Sequence, residues 1–192
     1  MYQLVLGSTS IYRKAILEKL KRPFVTAKPE IDESPLEGES PEILVARLAE
    51  SKAKAVTVGE DCLVVGSDQV AVLDGQILGK PGTKDKAIEQ LMSSSGKKVS
   101  FLTGLCLLNT GTGRCQTEVD VFNVYFKSLS KAMVEDYVTK ENPLDCAGSF
   151  KSEGLGIALF SKLEGDDPNS LIGLPLIRLI SMLESEGVSV LG

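Results

Sequence analysis

Histidine is missing from this sequence of 192 residues, tryptophan is missing too, and only 5% of the residues are aromatic. Without histidine, the chain cannot hold a Ser-His-Asp triad, a histidine general base or an imidazole-ligated zinc ion. Any acid–base chemistry near neutral pH therefore belongs to carboxylates, lysines, thiols or a metal-bound water. This absence excludes many classes of enzyme.

Cysteines and long apolar runs are also few. The chain has 4 cysteines, none of them in a Cys-x-x-Cys pair, and no signal peptide precedes the first strand pattern. We therefore expect a reduced, cytoplasmic compartment. The apolar runs are far shorter than the roughly 20 residues that a membrane-spanning helix needs, so we expect no membrane association.

Basic residues are outnumbered: 21 basic and 26 acidic side chains give a net charge of −5. This balance gives no electrostatic reason to expect binding of a nucleic acid polymer. A polyanionic ligand would instead be small and held locally. With 43% hydrophobic and 24% charged residues, the composition is that of a soluble globular protein with a sizeable core.

The first distinctive segment joins a strand to a helix. An apolar strand at Leu4–Leu6 is followed by a turn of small residues, 7–10, and by a helix over about Ser10–Leu20 with Arg13 and Lys14 in its first turn. A helix N-terminus with small residues before it is typical of a phosphate cradle. An ordinary strand–helix joint has the same pattern, and this segment alone does not separate the two.

The rest of the chain predicts one α/β domain over residues 1–192, since no repeat or linker divides it. A Pro-rich acidic connection is expected at 26–40, and a buried strand at 63–66 that delivers residues 67–69 at its end. Turn residues Asp74-Gly75 predict a hairpin. Further strands are predicted at 99–108, 117–126 and 157–160, and further helices at 41–56, 83–96, 130–138 and 170–184.

Asp68 is the first candidate for catalysis, because open α/β sheets place ligand sites at strand ends. The other interpretation is an aspartate that only caps a turn. A divalent cation would make the carboxylate useful by acidifying the water that it deprotonates. Glu33 of the acidic connection is the first choice for a second oxygen ligand, with Asp32 as its competitor.

Three cations complete the set of candidates: Arg13, Lys52 and Lys80. Arginine offers a bidentate fork to phosphate oxygens, and lysine neutralises charge that develops on a leaving group. Taken one at a time, each is as consistent with a solvated or salt-bridged surface residue. Their significance is collective.

Many of these residues lie in spaced motifs that run along the whole chain. The motifs are Ser8-Thr9-Ser10 with Arg13, Glu33, Lys52-Ala53, Gly66-Ser67-Asp68-Gln69, Gly79-Lys80-Pro81, Thr103-Gly104, the segment 137–148, Lys151-Ser152-Glu153-Gly154 and Gly173-Leu174-Pro175-Leu176. In order and spacing, the sequence resembles the Maf family of nucleoside triphosphate pyrophosphatases.

The resemblance implies a fold, an assembly and an activity. The implied fold is α/β, with a mixed, elongated central sheet flanked by helices and two lobes around a cleft, related to inosine-triphosphate pyrophosphatases. The implied protein is a homodimer. It depends on a divalent cation, Mg²⁺ or Mn²⁺, and hydrolyses a nucleoside triphosphate to the monophosphate and diphosphate.

The resemblance also assigns roles to single residues. Asp68 matches the family's proton acceptor, and Glu33 matches an acidic position near the metal, where Asp68 is the other expected ligand. The family's phosphate and catalytic contacts match Ser8, Arg13, Lys52 and Lys80. Ser10, in the same turn as Ser8, is a further residue that we expect to hold phosphate.

Three positions resemble the branch of the family that hydrolyses 7-methyl-GTP. Where the branch acting on UTP and dTTP tends to have Arg, Thr and Gln, this chain has Tyr12, Gln69 and Glu153, and Ile11 stands where proline is usual. An aromatic face attracts the cationic 7-methylguanine ring, and a carboxylate accepts from both of guanine's N–H donors. The open alternatives are UTP, dTTP or another modified nucleotide as substrate, and a non-catalytic nucleotide-binding regulator of cell division.

Overall fold

The structure is a computed structural model that describes residues 2–56, 58–59 and 61–191. Its strands are β1 (Gln3–Leu6), β2 (Phe24–Thr26), β3 (Cys62–Leu73), β4 (Gln76–Leu78), β5 (Lys98–Asn109), β6 (Cys115–Phe126) and β7 (Phe160–Glu164). Its α-helices are α1 (Ile11–Leu17), α2 (Pro41–Ala55), α3 (Lys84–Ser94), α4 (Lys131–Glu141), α5 (Pro168–Ile172) and α6 (Leu176–Ser185). Short 3-10 turns lie at Glu18–Leu20, Ala147–Ser149 and Leu155–Leu159.

The strands form a mixed central sheet flanked by helices, as expected. Hydrogen bonds connect the strands in the order β2-β1-β3-β5-β6-β7, and β4 pairs with β3. Strand β1 is parallel to β2 and β3, whereas the pairs β3–β4 and β6–β7 are antiparallel. Parallel pairs need long crossovers, and α1 and α2 occupy the two crossovers at this end of the chain.

The chain forms two compact units. Unit 1 comprises Met1–Asp68, Thr103–Asp120 and Gly173–Gly192, and unit 2 comprises Gln69–Leu102 and Val121–Ile172. Strands β3, β5 and β6 each contribute residues to both units. That residues 1–192 form a single family domain stays a prediction. In the described part of the chain, no helix combines the length and the apolar character that crossing a bilayer requires.

In unit 1, helix α2 packs directly against the backbone of two strands. A Cβ atom on Gly66 would lie 2.1 Å from the carbonyl oxygen of Ala49, and one on Gly104 would lie 2.1 Å from that of Val45. Such distances are far inside van der Waals contact, so only glycine allows this approach. The two glycines therefore fix the position of α2 on β3 and β5.

In unit 2, the core is built around four phenylalanines. Their rings meet edge to face with centroids 4.7 to 5.6 Å apart, and the rings are Phe101, Phe126, Phe150 and Phe160. This geometry is the favoured one for aromatic pairs. Helices α3 and α4 contribute Leu91 and Tyr137 to the same buried cluster.

The structure confirms most of the helices and turns that strong local sequence signals predict. Ser10, Ser40, Thr83 and Ser130 cap their helices with side-chain hydrogen bonds to the third helical N–H. The hairpin turn at Asp74-Gly75 has φ values of 51° and 80°, as a two-residue loop of this type requires. Local patterns therefore located the starts of these four helices correctly.

Two predictions near the C-terminus are wrong. The strand predicted at 157–160 begins only at Phe160, because the chain before it turns back so that the N–H of Gly156 bonds the carbonyl of Lys151 at 3.1 Å. The helix predicted at 170–184 is two helices, α5 and α6. Gly173 has φ of 116°, which no helix accommodates, and Pro175 lacks the N–H that a helix interior needs.

Candidate active site

The turn after β1 is closed by its own serines. The hydroxyl of buried Ser8 accepts from the N–H of Ser10 at 3.1 Å, and the hydroxyl of Ser10 accepts from the N–H of Arg13 at 3.3 Å. Both predicted phosphate ligands therefore already shape the turn. Their side chains hold the start of α1 and bring Arg13 to a defined place.

Arg13 is anchored by a carbonyl from a distant part of the chain. Its Nε donates to the carbonyl oxygen of Gly173 at 2.9 Å, and this contact orients the guanidinium plane. Burial lowers the pKa of Arg13, and the negative charges of Asp68 and Glu33 offset only part of this effect. Arginine keeps its charge in proteins. Arg13 is thus a fixed cation within the field of the two carboxylates proposed above.

Lys52, Asp68 and Glu33 form one ion cluster in unit 1. The Nζ atom of Lys52 lies 2.7 Å from Oδ1 of Asp68 and 2.8 Å from Oε1 of Glu33. The side chains of Lys52 and Asp68 are 7% and 11% exposed, whereas that of Glu33 is 61% exposed. A buried ion pair is therefore extended to the surface by a single carboxylate from the acidic connection.

One expectation about Asp68 is wrong, because it does not lie at the end of a strand. Strand β3 continues without interruption to Leu73, where its last residues pair with β4. The polar side chains inside the strand are accommodated by hydrogen bonds: the hydroxyl of Ser67, which is fully buried, donates to the carbonyl of Gly173 at 2.9 Å. The same carbonyl also accepts the hydrogen bond from Nε of Arg13, so this peptide group supports both β3 and α1.

Tyr12 occupies the second position of α1 and is half-buried. Consecutive residues of a helix project about 100° apart, so Tyr12 and Arg13 point in different directions. This arrangement agrees with separate roles for the ring and the guanidinium. The stacking role of Tyr12 stays a prediction.

The other predicted residues lie in unit 2, where hydrogen bonds to backbone groups support Gln69 itself and the segments that carry Lys80 and Glu153. The side-chain amide of Gln69 donates to the carbonyl of Ser170 at 2.7 Å and, at 3.3 Å, to that of Leu171. Lys80 is exposed in the loop after β4, and Gln90 of α3 supports this loop by donating to the carbonyl of Gly79 at 3.1 Å.

Glu153 is exposed on a short segment that helix α4 supports. The carboxylate of Glu141 accepts from the N–H of Leu155 at 2.8 Å, and the hydroxyl of Tyr137 accepts from the N–H of Lys151 at 3.0 Å. Burial raises the pKa of Tyr137, so this hydroxyl stays protonated. Two contacts therefore bracket Glu153, whose role in base recognition stays a prediction.

Sequence reasoning missed two contacts in unit 1. One is the carbonyl of Gly173; the Gly-x-Pro pattern at 173–175 signals a helix break but not the partners of a carbonyl. The other is a bidentate pair in which Arg47 of α2 binds Glu39, with N–O distances of 2.6 and 2.8 Å. Opposite charges eight residues apart, on a loop and a helix, carry no recognisable local signal.

The donor set of the cluster fits a hard divalent cation. Asp68 and Glu33 supply carboxylate oxygens, and both already approach one common positive charge on Lys52. Magnesium is usually held by one or two carboxylates together with substrate phosphates and waters. Across residues 2–56, 58–59 and 61–191, no group of three or more His, Cys, Asp or Glu side chains is arranged to hold a metal. A cation held by Asp68 and Glu33 would take further oxygen ligands from substrate phosphates or water.

Comparison with solved structures defines the class of fold. The chain is similar to a HAM1 protein from Coxiella burnetii, with a TM-score of 0.53 and 15% identity over 97% of this chain and 100% of the other. A Ham1 protein from Staphylococcus aureus gives the same TM-score and covers 96% of this chain. The expected fold class is confirmed.

Sequence comparison gives the family. The model of the Maf-like protein family matches residues 3–186, and the chain belongs to this family. It is 60% identical over 190 residues to a 7-methyl-GTP pyrophosphatase of Vibrio cholerae, covering 99% of this chain and 98% of the relative. Proteins of the same name from Vibrio vulnificus and Alcanivorax borkumensis are 56% and 57% identical, over 100% and 97% of this chain and over 98% and 95% of those relatives.

Proposed function

We propose that this chain hydrolyses 7-methyl-GTP to 7-methyl-GMP and diphosphate. The observation that carries the chemistry is the ion cluster of Lys52, Asp68 and Glu33, which acts electrostatically on Arg13. Two cations and two carboxylates in one unit suit a substrate that brings both phosphate charge and a divalent cation. The names of the relatives supply the nucleotide.

In this proposal, the cations of unit 1 hold the triphosphate. Arg13 presents a planar guanidinium to phosphate oxygens, and its bond to Gly173 fixes the direction of that plane. Lys52 neutralises charge that develops on the departing diphosphate. Ser8 and Ser10 keep the turn compact, so that its backbone can approach the phosphates.

Asp68 accepts the proton in the chemical step. A water attacks the α-phosphorus, the bond between that phosphorus and the bridging oxygen breaks, and diphosphate leaves with the bond's electron pair. The proton of the water passes to the carboxylate of Asp68. The role of Lys52 in this step is to hold one oxygen of that carboxylate, at 2.7 Å, so that the carboxylate keeps one orientation.

The proposed reaction also requires a divalent cation. Asp68 and Glu33 would hold Mg²⁺ or Mn²⁺, which supplies charge neutralisation and a more acidic water when bound. Lys80 is proposed as a further phosphate contact, and Gln69, Tyr12 and Glu153 as contacts for the nucleotide. We also propose, from the sequence alone, that the protein is a homodimer and is located in the cytoplasm.

A panel of triphosphates tests this function. We expect metal-dependent diphosphate release that is fastest with 7-methyl-GTP, compared with GTP, UTP, dTTP and other methylated nucleotides. Faster turnover of UTP or dTTP would contradict the substrate while leaving the chemistry in place. Tight nucleotide binding without diphosphate release, in Mg²⁺ and in Mn²⁺, would contradict the enzyme and favour a nucleotide-binding regulator.

A further inference from the structure

We propose that Arg47 is a positioning residue for the reaction, because it fastens the acidic loop to helix α2 and so places Glu33 on Lys52. This inference rests on the proposed function and adds a residue that lies outside the predicted site. The loop in question is residues 27–40, between β2 and α2.

Arg47 binds the loop at two separate points. Its Nε and Nη2 atoms donate to the two carboxylate oxygens of Glu39 at 2.6 and 2.8 Å. Its Nη2 also donates to the carbonyl oxygen of Ser34 at 3.1 Å. Because Ser34 directly follows Glu33, the second contact holds the backbone one residue after the carboxylate that reaches Lys52.

The loop is folded around these contacts. The side chain of Glu39 is only 2% exposed, and its Oε2 atom also accepts from the N–H of Leu36 at 3.0 Å. Hydrogen bonds from Arg47 and then from Leu36 lower the pKa of Glu39 to about 2, so this carboxylate stays charged at neutral pH. Asp32 adds a turn by accepting from the N–H of Ser34 at 2.9 Å.

The anchor on the helix side is rigid. Arg47 and Lys52 are both residues of α2, whose close packing at Gly66 and Gly104 fixes it on the sheet. The loop is therefore bonded to one rigid helix twice, through Arg47 and through Lys52. Glu33 needs such support because its side chain is 61% exposed and has little packing of its own.

Geometry rather than charge alone is the expected contribution of Arg47. The positive charge of Arg47 also reaches Asp32 and Asp68, so an effect on the cluster through space is the competing explanation. Lysine keeps the charge but cannot form the planar, two-pronged contact with Glu39. The Arg47→Lys variant therefore separates the two explanations.

The experiment measures kcat, KM and the half-activating Mg²⁺ concentration for Arg47→Ala, Arg47→Lys, Glu33→Gln and the double variant Arg47→Ala with Glu33→Gln. We expect Arg47→Ala to lower kcat about 10-fold and to raise the Mg²⁺ requirement, and Arg47→Lys to show most of that loss. In the Glu33→Gln background, Arg47→Ala should change kcat less than about 2-fold, because the two residues act through one contact. Arg178→Ala is the matched control, since Arg178 makes similar carboxylate contacts with Asp120 and Glu118 away from this loop.

Hydrogen–deuterium exchange gives a readout that does not depend on activity. Residues 27–40 should exchange faster in Arg47→Ala and Arg47→Lys than in the wild type, and should be unchanged in Arg178→Ala. Unchanged exchange in this loop, wild-type kinetics of Arg47→Lys, or independent effects of Arg47 and Glu33 would overturn the positioning role. A wild-type protein that releases no diphosphate would instead refute the proposed function, and exchange would still decide whether Arg47 holds the loop.

Discussion

In unit 1, three of the predicted functional residues form one ion cluster, whereas in unit 2 the segments that carry the predicted residues are supported separately, through peptide groups. In unit 1, Lys52 binds Asp68 and Glu33 directly, and Arg13 lies in the field of both carboxylates. In unit 2, the segments that carry Lys80 and Glu153 are supported by hydrogen bonds to neighbouring peptide groups. Substitutions in unit 1 should therefore have large, coupled effects, and those in unit 2 smaller and more independent ones.

Lys52→Met should give the largest loss. It removes the cation that orients Asp68 and leaves a carboxylate that is only 11% exposed without its partner. We expect kcat to fall about 100- to 1,000-fold, and thermal unfolding to shift to lower temperature. Lys54→Met is the matched control, because Lys54 lies on the same helix but pairs with Glu50 in solvent. Equal kinetics of the two variants would contradict the central place of Lys52.

Lys80→Met should have a smaller effect. Its side chain is exposed in a loop, so its loss leaves no buried charge behind. We expect kcat/KM to fall about 10-fold, with no change in thermal stability, as for the loss of one charged phosphate contact. Lys84→Met, at the exposed start of α3, is the control. A loss as large as that of Lys52→Met would break the distinction between the two units.

Glu153→Gln should change selectivity more than rate. A glutamine amide keeps one acceptor but offers a mismatched donor to the N–H groups of guanine. We expect the preference for 7-methyl-GTP over UTP, measured as a ratio of kcat/KM values, to fall about 10-fold. A preference equal to that of the wild type would remove Glu153 from base recognition.

The smallest expected effect concerns stability at acid pH. The pKa of Glu39 is lowered from 4.5 to about 2 in the folded protein, so its pairing with Arg47 stabilises the fold fully above pH 4.5. This contribution decreases as the pH falls from 4.5 to about 2. We expect Glu39→Gln to lower the melting temperature at pH 6 and to have progressively less effect between pH 4.5 and 2. A difference that does not depend on pH would contradict the ion pair as its cause.

The sequence predicts the local part of this picture well. Capping serines and the Asp-Gly turn act within a few residues, so α1, α2 and the β3–β4 hairpin could be placed from their own side chains. Strand β2 was not predicted, because three residues after Pro23 carry little periodicity and its register comes from pairing with β1.

The contacts that organise the site depend on tertiary structure. Ser67 and Arg13 converge on the carbonyl of Gly173 from more than 100 residues away, and no side-chain pattern identifies a carbonyl as a ligand. Asp68 was placed at a strand end because Ser67 and Gln69 interrupt the apolar run. Hydrogen bonds from distant segments let the strand pass through these polar residues. The family resemblance indicated which residues to expect in the site. The structure adds which of these residues contact one another.

Asp68→Asn tests the central claim most directly, with Asp74→Asn in the exposed hairpin turn as the control. Asparagine keeps the size of the side chain but does not accept a proton as a carboxylate does. With saturating 7-methyl-GTP and Mg²⁺, we expect diphosphate release by folded Asp68→Asn to fall at least about 100-fold, while Asp74→Asn keeps wild-type activity. Near wild-type release by a folded Asp68→Asn protein would contradict the account.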